Sequence, residues 1–161
     1  MNILLDSHIL IWALANDARL PKKAAEYILD PDNSIYYSAV SIWELTLKHM
    51  LYPDEITFSG QELAEYCDEA GFLPLDLTAA DVPFLETLSR PEGAPRHKDP
   101  FDRMLIAQAK AQEMLLLTHD ALLPYYQEEC ILPVSQFTAQ IPPCTPLSRI
   151  ILRPSTGTAP R

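Results

Sequence analysis

Carboxylates dominate the chemistry this chain can offer. It has 161 residues, 22 of them acidic against 12 basic, and a formal net charge of −10. Most acids on such a chain are solvated groups that keep an acidic protein in solution. Five stand at or near the start of a helical pattern, Asp6 and Asp120 directly after short apolar runs, and Glu44, Asp99 and Asp102 in or before a first helical turn. Hard divalent cations take oxygen ligands. Cations held by converging carboxylates orient a phosphate, generate hydroxide from water and stabilise a leaving oxygen. The chemistry that fits these acids is therefore metal-assisted hydrolysis of a phosphodiester. Without the cation, three or four converging carboxylates would repel one another and some of their pKa values would rise.

Each acid also has a purely structural reading. Asp6 follows Ile3-Leu4-Leu5 and Asp120 follows Leu115-Leu116-Leu117, and either could cap the helix after it. Ser41-Ile-Trp-Glu44 has the spacing of a capping box. Asp99 before Pro100 reads as an N-cap followed by the first helical residue. Asp102 would then be the third helical residue, where a carboxylate favours the helix dipole. It has no cap to make and is the better ligand of the two. Lys98, Arg103 and His119 are the basic residues nearest these acids and could contact phosphate.

Other catalytic signatures are missing. There is no GxxxxGK[ST], GxGxxG, HExxH or GxSxG. The four histidines, His8, His49, His97 and His119, lack metal-ligand spacing. Cys67, Cys130 and Cys144 form no CxxC pair and fit a reducing compartment. No apolar run reaches the roughly 20 residues of a membrane span, and the N-terminus lacks the features of a signal peptide. The expectation is a cytoplasmic protein with no membrane association. The net negative charge sits awkwardly with a nucleic-acid partner, although a bound cation would invert the local field.

These acids need elements to bring them together. Ile3–Leu5, Ile35–Tyr37, Phe72–Leu75, Met114–Leu117 and Ile131–Leu132 read as short strands, most of them buried. Helical patterns run from Ser7 to about Ala15, Pro21 to Leu29, Ser41 to Met50, Gln61 to Ala70, Thr78 to Leu88, Pro100 to Gln112 and Ala121 to Tyr126. Trp12 and Trp43 read as core residues on helix faces. Strands alternating with helices imply an α/β fold, a parallel sheet covered on both faces. Such sheets place their sites beyond the carboxyl ends of the strands, where Asp6 and Asp120 fall. The domain is expected to span 1–137. Residues 138–161, rich in Pro, Ser and Thr, read as a poorly ordered tail.

Four segments in order, LLDSHILIWAL, SAVSIWELTLKHML, HKDPFDRMLIAQA and LLLTHD, resemble the PIN-domain toxins of VapC type from bacterial toxin–antitoxin systems. The resemblance spans about residues 2–134. It implies a PIN-like three-layer α/β/α sandwich and an endoribonuclease dependent on Mg²⁺ or Mn²⁺. It also implies an RNA substrate, a cognate antitoxin, and a homodimer or a toxin–antitoxin hetero-oligomer. By position Asp6 matches the family's first acid, Glu44 the helix acid, Asp102 the third and Asp120 the acid after the last core strand. Asp99 matches an extra acid of a subgroup. Ser7 and Thr118 match polar neighbours of the metal site, and with Lys98 and Arg103 they are the expected substrate contacts. His119 departs from the family pattern. Two other readings stay open: a PIN-type nuclease of RNA processing, and a non-catalytic module that binds antitoxin.

Overall fold

The computed structural model describes residues 1–134, so the tail expected at 138–161 lies outside the described residues. Five strands, β1 (Asn2–Leu5), β2 (Ser34–Ser38), β3 (Leu73–Leu75), β4 (Leu115–Thr118) and β5 (Ile131–Pro133), form one sheet in the order β3-β2-β1-β4-β5. Every pairing is parallel. Five α-helices accompany it: α1 (Ser7–Ala15), α2 (Lys22–Leu29), α3 (Ala39–Leu51), α4 (Gly60–Glu69) and α5 (Pro100–Ala111). Short 3₁₀ helices cover Val82–Thr87 and Leu123–Tyr126.

The strands are apolar throughout because both faces are covered. Alternation along β1 sends Ile3 and Leu5 into one core layer, with residues of α1, α2 and α4, and Leu4 into the other, with α5. Leu117 and Leu116 of β4 divide in the same way. The result is the three-layer α/β/α sandwich that the sequence predicts. Fully burying one such leucine contributes roughly 1.5–3 kcal/mol. The central strand is therefore an unyielding platform for the residue that follows it.

The chain builds outward from β1 to β2 and β3, then returns through α5 to place β4 on the other side of β1. The switch point lies between β1 and β4, and crevices open there at the carboxyl ends of the strands. A buried polar tie braces the return. Ser38 donates to Gln108 Oε1 at 2.5 Å, and Gln108 Nε2 donates to the Asp76 carbonyl at 2.9 Å.

Four local expectations are corrected. Helix α3 starts at Ala39 rather than Ser41, because β2 ends directly at Ser38, whose hydroxyl accepts from the Val40 amide at 2.9 Å. Ser41 and Glu44 therefore make no capping box. That motif occurs instead at Ser59 and Glu62 of α4. No α-helix runs from Thr78 or Ala121. Pro83 and Pro124 lack an N–H and clash with the preceding turn, and only 3₁₀ turns form around them. Trp12 is buried as expected, but Trp43 is 54% exposed on the outer face of α3.

Candidate active site

The β1–β4 ladder continues one residue past β1, where the Asp6 amide donates to the Leu117 carbonyl at 3.1 Å. This pins Asp6 at the switch point. Its side chain also caps α1, with Oδ1 accepting from the Ile9 amide at 2.8 Å. The structural and chemical readings of Asp6 therefore hold together. The carboxylate is buried, and burial pushes its pKa up. The Ile9 amide, the Thr118 hydroxyl and the nearby His8 and His119 pull the other way.

Asp120 leaves the end of β4 in a side-chain turn. Its amide donates to Thr118 Oγ1 at 3.0 Å, and its Oδ1 accepts from the Leu122 amide at 2.7 Å. Thr118 is thus shared between the two strand-end acids. Asp102 reaches the same place from the first turn of α5. Asp99 is the cap of that helix, accepting from the Phe101 amide at 2.8 Å and the Asp102 amide at 3.3 Å. Burial, then the Asp99 charge, then Asp6 push the Asp102 carboxyl up to about 6, against the hydrogen bond from His97.

Asp102 and Asp120 converge, together with a residue that spacing alone does not single out. Potential ligand atoms of His97, Asp102 and Asp120 all lie within 4.8 Å of one another. The imidazole of His97 sits 3.1 Å from Asp102 Oδ2. His97 precedes Asp102 by five residues across a loop and a helix cap, which no regular ligand spacing describes. The only trace of it in the sequence is the HKDPFD segment itself.

Asp6 and Glu44 lie outside that 4.8 Å group. Asp6 joins it through the shared Thr118 and through its field on Asp102. Glu44 is buried and doubly engaged, accepting from Ser7 Oγ at 2.6 Å and from Lys48 Nζ at 2.5 Å. It is tied to the neighbour of Asp6 rather than to the other acids. Lys48 was not among the expected residues. Its position one helical turn after Glu44, at i,i+4, was the available signal.

Of the four expected substrate contacts, Lys98, just before α5, and Arg103, in its first turn, are exposed. Ser7 and Thr118 are instead buried. Their hydroxyls are committed to Glu44 and Ser41, and to Asp6 and Asp120, so they order the acids rather than face solvent. His119 packs edge-on against Trp12 with centroids 4.3 Å apart. Burial lowers its pKa, and its Nδ1 has no partner among the described residues.

This donor set fits a divalent cation. It is rich in carboxylate oxygen, it gathers acids in a partly buried crevice, and Asp102 is held away from its ordinary ionisation first by burial and then by the charges of Asp99 and Asp6.

The family model of the PIN domain matches residues 3–128. The chain belongs to the PIN domain family. The matched span runs from β1 past the 3₁₀ turn after β4 and includes all five acids. No curated protein is significantly similar in sequence to this PIN domain. Among solved structures it is similar to a chain of VapBC2 from Rickettsia felis, in the complex bound to a DNA fragment from its promoter. That match has a TM-score of 0.60 at 15% identity and covers 84% of this chain and 98% of that one. It is also similar to a chain of VapBC-1 from nontypeable Haemophilus influenzae, with a TM-score of 0.52 at 18% identity, covering 79% and 91%. At these identities the likeness is one of fold.

Proposed function

We propose that this PIN domain is a metal-dependent endoribonuclease, the toxin of a VapC-type toxin–antitoxin pair, that hydrolyses RNA phosphodiester bonds. The observation that carries the reading is the meeting of Asp102 and Asp120 at the sheet's switch point, with buried Asp6 beside them. Family membership and the fold shared with two VapBC assemblies support it.

Asp102 and Asp120 would hold Mg²⁺ or Mn²⁺, with Asp6 completing the negative charge around it. When bound, such an ion neutralises the scissile phosphate and activates water. The residues around it hold the acids ready. The Ile9 amide and Thr118 hydroxyl orient Asp6, and the Leu122 amide orients Asp120. Glu44 keeps the Ser7 hydroxyl turned inward and has its own charge offset by Lys48, which makes it a positioning acid here. Exposed Lys98 and Arg103 supply positive charge for the RNA backbone on an otherwise acidic chain. Asp99 serves α5 and raises Asp102 through its charge.

The antitoxin, and a homodimer or toxin–antitoxin hetero-oligomer, complete the proposal. Trp43, Leu47, Met50 and Leu51 leave an exposed apolar stripe on α3, the kind of surface protein assembly covers. A cytoplasmic location accords with the described residues, among which no helix is long and apolar enough to cross a membrane.

The deciding experiment is RNA cleavage in Mg²⁺ or Mn²⁺ by wild type, Asp6→Asn and Asp102→Asn. Each substitution is expected to lower the rate by about a hundredfold or more, at or beyond the upper end of what losing a supporting group of a metal site costs. Equal rates in all three would overturn the carboxylate mechanism.

A further inference from the structure

We propose that the segment from Arg90 to Lys98 is a preformed basic arm that lays single-stranded RNA beside the metal crevice, with Tyr125 as the platform on which one unpaired base stacks. This rests on the ribonuclease reading above and deepens it, naming the form of the RNA and the residues that track it.

The cations are unevenly placed. The described residues include nine lysines and arginines. Arg19, Lys23, Lys48 and Lys110 each form an ion pair with a carboxylate. Five have no such pair among the described residues. Four of these, Arg90, Arg96, Lys98 and Arg103, fall in one stretch, and only Lys22 lies elsewhere. On a chain of net charge −10, the cations left without an acid thus gather just ahead of α5 and in its first turn, where Asp102 sits. Arg96, Lys98 and Arg103 are exposed, and Glu92 is the only acid between Arg90 and Lys98. Such cations suit an RNA backbone, because each phosphate they neutralise releases bound counterions.

The arm has a fixed shape. The Ala94 amide donates to the Pro91 carbonyl at 3.1 Å, and Gly93 stands at φ +82°. Residues 91–94 therefore form a turn whose third position calls for glycine. Pro91 and Pro95 restrict the backbone on either side of it. Arg90 anchors the start of the arm. Its Nη2 donates to the Leu122 carbonyl at 3.5 Å, and the Leu122 amide holds Asp120. The same guanidinium lies 5.7 Å from the Tyr125 ring centre and 5.0 Å from that of Tyr126. The two rings differ in access. Tyr126 is buried, and its hydroxyl meets His97, whereas Tyr125 is 40% exposed. An open aromatic ring beside unpaired cations is the combination that binds single strands. A base stacks on the ring while its phosphates follow the charge. Bases already stacked and paired in an RNA duplex are withheld from such a ring.

Binding of a fluorescent oligouridylate to the full chain in a chelator tests this without cleavage. The slope of log Kd against log salt should fall by about 0.7 in Arg96→Gln, and by about twice that when Lys98→Gln is added. Lys22→Gln, which changes the unpaired cation outside the arm, should leave the slope unchanged. Tyr125→Ala should weaken binding about tenfold, and Tyr125→Phe should restore it. An RNA duplex of the same length should bind wild type more weakly than the single strand. Equal slopes in wild type and the double variant overturn the arm. A Tyr125→Phe variant as weak as Tyr125→Ala, or a duplex bound as tightly as the single strand, overturns the platform. Should Tyr125→Ala fail to fold, the duplex comparison and the variants of the arm decide. Oligoglutamate that competes as well as the RNA overturns the proposal in favour of an acidic protein segment. All of these measurements read binding alone. A chain that binds as expected and cleaves nothing refutes the ribonuclease reading and leaves the arm standing. One that cleaves RNA with slopes untouched by the variants keeps that reading and loses the arm.

Discussion

Asp102 is the residue whose environment most opposes its charge. A carboxyl raised to about 6 binds more protons in the folded state than in the unfolded state between roughly pH 4 and pH 6. Stability of the metal-free protein therefore falls as pH rises through that window, and the full cost is present above it. Asp102→Asn removes that cost while keeping an acceptor for His97. Thermal unfolding in a chelator is expected to show the variant more stable at pH 7.5 by on the order of 1–3 kcal/mol, with the difference closing towards pH 4. A variant no more stable than wild type at pH 7.5 would mean the site is better solvated than its geometry indicates. Asp6 and Asp120 illustrate why single residues were ambiguous in the sequence. In the sequence, capping and ligation read as alternatives, yet Asp6 caps α1 with one oxygen and its charge still acts on Asp102. A carboxylate has two oxygens and about four acceptor sites, so one role does not exhaust it.

Helix starts do the positioning at the next scale. Asp99 and Pro100 fix where α5 begins, and that start delivers Asp102. Because Asp99 acts as a cap, Asp99→Ser should keep both stability and RNA cleavage close to wild type. Asp99→Ala should lose about 1 kcal/mol in urea unfolding. Equal loss of cleavage in both variants, with stability intact in Asp99→Ser, would move Asp99 into the metal site. The start of α5 was legible because Asp-Pro is a strong local signal. The start of α3 was not. Ser38 and Ser41 both offer a capping hydroxyl, and only the end of β2 decides between them. The corrected register places Glu44 in the second turn of α3, where it meets Ser7 across 37 residues of sequence. Helices expected at Thr78 and Ala121 fail at Pro83 and Pro124, a signal that the sequence itself carries.

The whole molecule gathers negative charge, and a cation should repay that in stability. Mg²⁺ binding the folded state alone stabilises by RT ln(1 + [L]/Kd), about 2.7 kcal/mol at a hundredfold excess over Kd. Mg²⁺ should therefore raise the Tm of wild type, a chelator should reverse the rise, and Asp102→Asn should abolish it. A Tm indifferent to Mg²⁺ in wild type would remove the metal from the proposal. At this scale the sheet was largely legible. Short apolar runs, each followed by a helical pattern, leave few arrangements besides a parallel sheet covered on both faces, because every run must be buried on both sides. The sequence by itself therefore determined the α/β class, the strands, and the placement of Asp6 and Asp120 at strand ends. Only the tertiary structure decided that β1 and β4 are neighbours, that Thr118 serves both strand-end acids, that Ser7 and Thr118 face inward, and that His97, bonded to Tyr126, meets Asp102. The reason is physical. Local hydrogen bonding and hydrophobic periodicity act over a few residues, whereas a buried polar group takes its partner from whatever distant segment the packed core brings within reach.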